Sequence, residues 1–312
     1  MKNKKLIFIL AIIIFLIIFV FIIFFNNFSL LPKKEEIIEI CPKSSANSVA
    51  KNLKEKGIIL NEKAFLIYLS LTNNSTKILP GKYLLNNKMT LSQITQKLVS
   101  GDRIKQKITI VEGATRKDIA KILAKNNFFS EKDFLEKTQN LEGYLFPDTY
   151  EILPCETLDD FINQIKENFD KKTKDIKDRV NQEEFKKMII LASLLEKEVK
   201  NYEDKQIVAG ILLKRLQNNW FLQVDASIGY ALDKPLKELT SVDLQIDSPY
   251  NTYKYKGLPP TPICNPGLES ILAVLYHKDS DYWYYLSTPQ GKTIFSKTLE
   301  EHNLAIKKYY KQ

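Results

Sequence analysis

The chain has 312 residues, with 46 Lys and Arg against 37 Asp and Glu and a formal net charge of +9. Two histidines are too few for a histidine-rich metal site, and H-E-x-x-H is absent. The three cysteines, Cys41, Cys155 and Cys264, lie far apart without C-x-x-C spacing, which excludes a zinc ribbon or a dithiol redox centre. An oxidising compartment would allow one disulfide and leave one thiol, with the pairing open.

Leu6 to Phe25 is an apolar run without charge, Gly or Pro. Roughly 20 such residues cross the hydrocarbon core as a helix. Lys2, Lys4 and Lys5 precede the run, and basic flanks stay in the cytoplasm. A signal peptide has an apolar part of about 7–15 residues and a small-residue cleavage site. This run is longer, and Asn26 to Leu31 offers no such site. The expectation is an uncleaved single-pass anchor in the cell membrane over residues 6–25, in contact with lipid. Residues 1–5 form a cytoplasmic tail, and the remainder is extracytoplasmic (periplasmic in a cell with two membranes). That placement argues against nucleic acid as the partner of the basic surface. Anionic lipid headgroups and the carboxylates of cell-wall peptides are the better match.

Beyond the anchor, Glu36 to Ile40 reads as a short strand. Ser44 and Ser45 then supply hydroxyl caps for a helix through Val49 and Leu53. Asn61 to Leu71 reads as a helix, and Gly81 to Leu85 as a strand after the Pro80-Gly81 turn. Thr90 to Leu98 reads as a helix capped by Thr90. Lys107 to Val111, the turn at Gly113 to Thr115, and a helix through Ile119 and Leu123 repeat the strand–turn–hydroxyl–helix unit. Leu141 to Tyr150 is loop-like and aromatic. Helices follow near 157–179, 182–201 and 203–218. A stretch of loops comes next, then a hairpin of Tyr282–Ser287 with Thr293–Ser296, and a last helix from Leu299. Helices and short strands without a βαβ rhythm predict an α+β fold.

Three segments could carry chemistry. Glu196-Lys197-Glu198 closes a helix whose body, Met188 to Leu195, is nearly all apolar. At about 100° per residue the two glutamates point roughly 200° apart, so they cannot share one cleft. The plain reading is an exposed charged helix end, with Glu196 facing Lys200 one turn on. The chemical reading places one of them in a cleft, where burial raises a carboxyl pKa until it can serve as a general acid. In Leu222-Gln223-Val224-Asp225 the polar residues alternate with apolar ones and share a face if the segment is extended. Ser248 to Tyr253, continuing through Gly257 to Pro262, is a Pro- and Gly-rich loop that combines aromatic faces with amides and hydroxyls, the mixture sugars need. Gly291-Lys292-Thr293 lacks the first glycine of a phosphate-binding loop and reads as a hairpin turn.

Taken in order, Glu142-Gly143-Tyr144-Leu145-Phe146-Pro147-Asp148-Thr149-Tyr150, Leu191 to Glu198, Leu222 to Asp225, Tyr250 to Tyr253 with Gly257 to Pro260, Asn265-Pro266-Gly267 and Glu301-His302-Asn303 resemble the endolytic murein transglycosylases, the MltG/YceG-like family. The resemblance covers nearly the whole chain. It implies a LysM-like subdomain over 36–104 and a mixed α+β catalytic domain over 105–312. It also implies one catalytic glutamate, placed at Glu198, with Glu142, Gln223, Asp225, Tyr250, Asn251 and Tyr253 lining the sugar groove. Val199 stands where the family has a small or hydroxyl residue, and Ala226 where it often has Pro. The implied substrate is the glycan strand of peptidoglycan, cut between MurNAc and GlcNAc to leave 1,6-anhydroMurNAc ends. No metal or other cofactor is implied. The implied partners are peptidoglycan synthases and the elongation and division machinery. Two other readings stay open: a non-catalytic, membrane-tethered peptidoglycan-binding scaffold, and a muramidase-type hydrolase that adds Asp225 or Glu142 to Glu198.

Overall fold

The computed structural model describes residues 32–288 and 290–310, together with Ile12 and Phe15. Apart from those two positions, the expected anchor over 6–25 lies outside the described residues. Among the described residues, no helix is long and apolar enough to cross a membrane. The architecture is α+β. It falls into a first unit that runs to Lys107 and takes back Glu151–Thr157, and a second of Ile108–Tyr150 and Leu158 onward.

The first unit runs β1 (Glu35–Ile40), α1 (Ala46–Glu55), α2 (Glu62–Leu71), β2 (Gly81–Asn86) and α3 (Leu91–Ser100). Each helix starts at a side-chain cap, Ser45, Asn61 or Thr90. At Thr90 the Gln93 side chain bonds back to close a capping box. β1 and β2 pair antiparallel, with Ile38 opposite Tyr83 and Ile40 opposite Gly81. Period-2 alternation turns Ile38, Ile40, Tyr83 and Leu85 inward onto Leu53, Phe65, Leu69 and Leu98. The returning segment is fastened by a Cys41–Cys155 disulfide with a Cα separation of 5.4 Å. Arg103 adds a two-pronged grip on Glu151, with Nε and Nη2 at 2.8 and 3.1 Å from its carboxylate oxygens. Cys264 is the free thiol, buried elsewhere.

The second unit holds β3 (Lys107–Thr109), α4 (Arg116–Lys125), α5 (Glu131–Lys137), β4 (Thr149–Glu151), α6 (Leu158–Lys177), α7 (Gln182–Glu198), α8 (Tyr202–Gln217), α9 (Asp225–Leu232), α10 (Leu268–Leu275), the hairpin β5 (Tyr284–Ser287) and β6 (Thr293–Ser296), and α11 (Leu299–Tyr310). α7 begins at an Asn181–Glu184 capping box and is buried continuously from Ile189 to Leu195. It is the centre of this core, with Val208, Ala209 and Leu212 of α8 and Ile271 and Ala273 of α10 packed in the same cluster. Gly210 of α8 sits so close to the Lys278 carbonyl that a Cβ there would come within 2.1 Å of it.

Two differences from the sequence reading matter for the site. α7 ends at Glu198, because Val199 is buried in an extended conformation (φ −138°, ψ 137°). Lys200 therefore lies outside the helix and cannot meet Glu196 one turn on. α9 and α10 occupy a stretch that reads as loop, since eight residues give too little periodicity to register.

The disulfide spans 114 residues, and cross-links over loops of that size stabilise by up to about 4–5 kcal/mol on the chain-entropy account. The Cys41→Ser, Cys155→Ser double variant is expected to lose a large part of that stability. Urea unfolding of the variant beside the wild-type protein, with and without reductant, measures it; reductant should affect only the wild type.

Candidate functional site

The end of α7 sets the first part of the site. Burial is the main force on the Glu198 carboxyl and the negative charge of Asp225 the second; together they push its pKa up to about 7. The Ala226 N–H and the Tyr285 hydroxyl act against that shift. The Tyr285 hydroxyl is enclosed and has no hydrogen-bond partner of ordinary length among the described residues. Two residues further along β5, on the same face of the strand, Ser287 Oγ donates to the Glu198 carbonyl at 2.7 Å. The hairpin thus holds the backbone of the last helical residue and presents Tyr285 to its side chain.

Asp225 is the first residue of α9 and accepts a 2.5 Å hydrogen bond from the Tyr253 hydroxyl. The predicted alternation is present: Leu222 and Val224 are buried, Gln223 and Asp225 exposed. Gln223 takes the left-handed conformation (φ +54°), and its N–H donates to the Thr252 carbonyl at 3.1 Å. The Val224 N–H donates to Thr252 Oγ1 at 2.9 Å, so this segment is fixed on the 248–253 loop. Arg215 of α8, almost fully buried, clamps both flanks of the site. Nη1 donates to the Leu222 carbonyl at 2.5 Å, while Nε and Nη2 donate to the Trp283 carbonyl at 3.0 and 2.6 Å.

Glu196 is neither solvated nor part of this cleft. Its carboxylate accepts from Lys205 Nζ at 3.3 Å, the Gly267 N–H at 2.9 Å and Ser270 Oγ at 2.7 Å. The side chains of Lys205 and Glu196 are only 3% and 8% exposed, which corrects the reading of an exposed charged helix end. A buried ammonium on α8 demands a carboxylate opposite it, and the 200° divergence leaves Glu196 for that purpose.

The second part is a cavity of about 600 Å³ with Glu142 in its floor and Ala226, Tyr230 and Tyr250 among its walls. Glu142 accepts from the Arg116 N–H at 3.1 Å, the Tyr230 hydroxyl at 3.2 Å and Asn265 Nδ2 at 3.1 Å. Burial dominates and raises its pKa to about 7, although Arg116 and Tyr230 favour the charged form. The Tyr230 and Tyr250 rings are 5.3 Å apart. The Tyr250 hydroxyl lies 2.7 Å from Thr261 Oγ1. Ala226 and its neighbour Asp225 join the two parts of the site along α9.

Asn251 does not line the groove. It is fully buried, with Nδ2 donating to the Leu244 and Ile246 carbonyls at 3.0 and 2.8 Å and Oδ1 accepting from the Tyr253 N–H at 3.0 Å. Its amide is consumed in shaping the loop that presents Tyr250 and Tyr253. Asn265, quoted in a motif but given no role by the sequence, is the larger organiser. Oδ1 accepts from the Gly143 and Leu145 N–H groups, both at 2.9 Å, and Nδ2 also donates to the Ala114 carbonyl at 2.9 Å. Its backbone exchanges two further bonds with the Gly113–Ala114 turn. Gly143 is required where it is: its φ is +88°, and a Cβ would come within 2.5 Å of Pro262. Arg116, Tyr230, Arg215 and Tyr285 carried no local signal, because their partners Glu142, Trp283 and Glu198 lie far away in the chain.

Asn265→Ala should strand the Gly143 and Leu145 N–H groups, each at a cost of about 1–3 kcal/mol. Thermal unfolding of the variant should show a loss of several kcal/mol. An unchanged midpoint would remove Asn265 from its organising position.

A family model described as the YceG-like family matches residues 38–308. The chain is 34% identical over 303 residues to the endolytic murein transglycosylase of Bacillus subtilis, covering 87% of this chain and 84% of that protein. It is 27% identical over 327 residues to the enzyme of the same name from Streptococcus pneumoniae serotype 2, covering 88% of this chain. The matched region spans 59% of that longer pneumococcal protein. A crystal structure of a YceG-like protein from Listeria monocytogenes superposes with a TM-score of 0.60 at 31% identity, over 88% of this chain and 100% of that one. Matched over most of its length by the family model and by relatives more than 30% identical, the chain belongs to the YceG-like family.

Proposed function

We propose that the protein is an endolytic peptidoglycan lytic transglycosylase that cuts the MurNAc–GlcNAc bond of nascent glycan strands with Glu198 as its acid and base. The observation that carries this reading is a carboxyl at a helix end, held near pKa 7 by burial and by Asp225, beside a tyrosine-walled cavity. The names of the Bacillus and pneumococcal relatives support it. Protonated Glu198 donates to the glycosidic oxygen, and positive charge develops at the muramic anomeric carbon. The carboxyl group of Asp225, which acts electrostatically on Glu198, favours that charge. The glutamate, now anionic, takes the proton of the same sugar's 6-hydroxyl as that oxygen closes onto C1. No water enters. An intramolecular nucleophile has so high an effective concentration that one carboxyl suffices, where ordinary glycosidases use two. Tyr230 and Tyr250 offer ring faces to the sugar, Gln223 and Tyr253 polar edges, and Glu142 a polar floor.

The first unit supports a LysM-like, glycan-holding role through its β-α-α-β order and antiparallel strand pair. The apolar run at 6–25 supports an anchor that keeps the second unit outside the cell membrane, beside the peptidoglycan synthases and the elongation and division machinery that supply new strands. One observation favours a second reading: Asp225 lies close enough to Glu198 to shift it, and a second carboxylate is what a muramidase would use to activate water.

Glu198→Gln keeps the size of the side chain and removes the transferable proton. Fragment release from isolated strands should fall by at least about 10²–10⁴-fold, while pull-down on sacculi persists. Mass spectrometry of the wild-type products separates the two readings, because hydrolysis adds one water per bond cut, leaving a reducing muramic end, and the transglycosylase leaves a 1,6-anhydro end.

Since the donor is the protonated form, activity should decline as pH rises through about 7. Asp225 raises the Glu198 pKa, so Asp225→Asn should move this alkaline limb to lower pH. A limb that stays in place in the pH–rate profile would disconnect Asp225 from the acid.

A further inference from the structure

The cavity over Glu142 carries a charge pattern that binding of sugar rings does not use. Lys117, Lys121, Lys197 and Lys234 stand around it, with Arg116 at the first turn of α4. Lys117 is paired with Asp233 at 3.1 Å and Lys234 with Asp243 at 2.7 Å. Lys121 and Lys197 are exposed and make no ion pair among the described residues. Arg116 Nε is buried without a hydrogen-bond partner, 3.7 Å from Glu142. On the acidic side, Asp118 is consumed by the capping box of α4, leaving Asp233 and the Glu142 floor. The cavity lining therefore carries more cationic than anionic side chains, with an apolar part at Ala226, Pro235 and Ile263.

Its position follows from the chain. Lys197 precedes Glu198 and Ala226 follows Asp225, and consecutive Cα atoms are about 3.8 Å apart. The cavity lining thus adjoins Glu198 and Asp225 in the chain, one residue away at Lys197 and at Ala226. On the transglycosylase reading, the sugar whose C1–O bond breaks there is muramic acid, which bears a lactyl group at O3 and, through it, a short peptide with free carboxylates and small side chains.

Resting on that reading, we propose that this cavity is the subsite for the acidic stem peptide of the muramic residue being cleaved, with Lys121 and Lys197 meeting its carboxylates. The site would then select strands that still carry their stems.

The test compares the full-length protein in detergent with the Lys121→Ser, Lys197→Ser double variant. The substrates are uncrosslinked strands with stems and the same strands stripped of peptide by an amidase. The wild type should cleave stem-bearing strands with at least about tenfold higher kcat/KM. The double variant should lose roughly five- to tenfold of that advantage, mainly in KM, with stripped strands cut as before. The advantage should shrink as salt rises. Equal losses on both substrates, or none on stem-bearing strands, would overturn the subsite. A binding measurement separates this proposal from the function beneath it. In the Glu198→Gln background, calorimetry should show muramyl peptide binding more tightly than N-acetylmuramic acid, and the lysine substitutions should erase the difference. If that holds while the wild type cleaves neither strand, the transglycosylase reading fails and the subsite stands. Normal cleavage with no binding difference removes the subsite alone.

Discussion

The side chain of Asn265 is the constraint on which the second unit's site rests. One buried amide satisfies two backbone N–H groups of the 142–145 turn, the Ala114 carbonyl and the Glu142 carboxylate at once. The two N–H groups and the Ala114 carbonyl belong to buried residues and have no other cheap partner, so the three segments are obliged to meet at Asn265. The turn they form requires Gly143 for its backbone angle and for the closeness of Pro262. Glu142 is thereby aimed into the cavity, and the start of α4 is brought over it to donate from Arg116.

Around this tie, three glutamates sit in three electrostatic situations. Glu196 is buried but answered by Lys205 and two further donors, and it joins α7, α8 and α10. Glu142 is buried and answered mainly by neutral donors and a more distant guanidinium, which leaves it close to the balance point near neutral pH. Glu198 lies beside a like charge, with only the Ala226 N–H and the Tyr285 hydroxyl in compensation. The proposed mechanism puts the chemistry where compensation is least complete, because a carboxyl with ample partners cannot release and recover a proton at one pH.

What was legible from the sequence was whatever depends on periodicity. The apolar body of α7, the divergence of Glu196 and Glu198, the 222–225 alternation, the β5–β6 hairpin and the α+β class all follow from local spacing. What was not legible depends on partners distant in the chain. Asn251 has the chemistry of a sugar ligand, yet its amide is claimed by two carbonyls of its own loop. Glu196 looked solvated because the lysine that buries it belongs to the next helix. Tyr285 is one aromatic residue among several in its hairpin, and only the Ser287 contact at the end of α7 shows which face of that strand meets Glu198. The cysteines left the pairing open until the return of Glu151–Thr157 to the first unit brought Cys155 to Cys41.

The contacts of Trp283 and Ser287 also bear on the order in which this molecule becomes active. Glu198 is the last residue of its helix, and its carbonyl is held by a hydroxyl 89 positions later in the chain. The segment carrying Asp225 is clamped by an arginine that shares its grip with the Trp283 carbonyl. A chain that has emerged only as far as α10 has Glu198, Asp225 and the cavity walls in sequence, but neither of these fastenings. The hairpin is thus a late keystone. The edge proposed to cut the glycan strand is fastened by a hairpin that lies after it in the chain, and a chain lacking that hairpin lacks both fastenings.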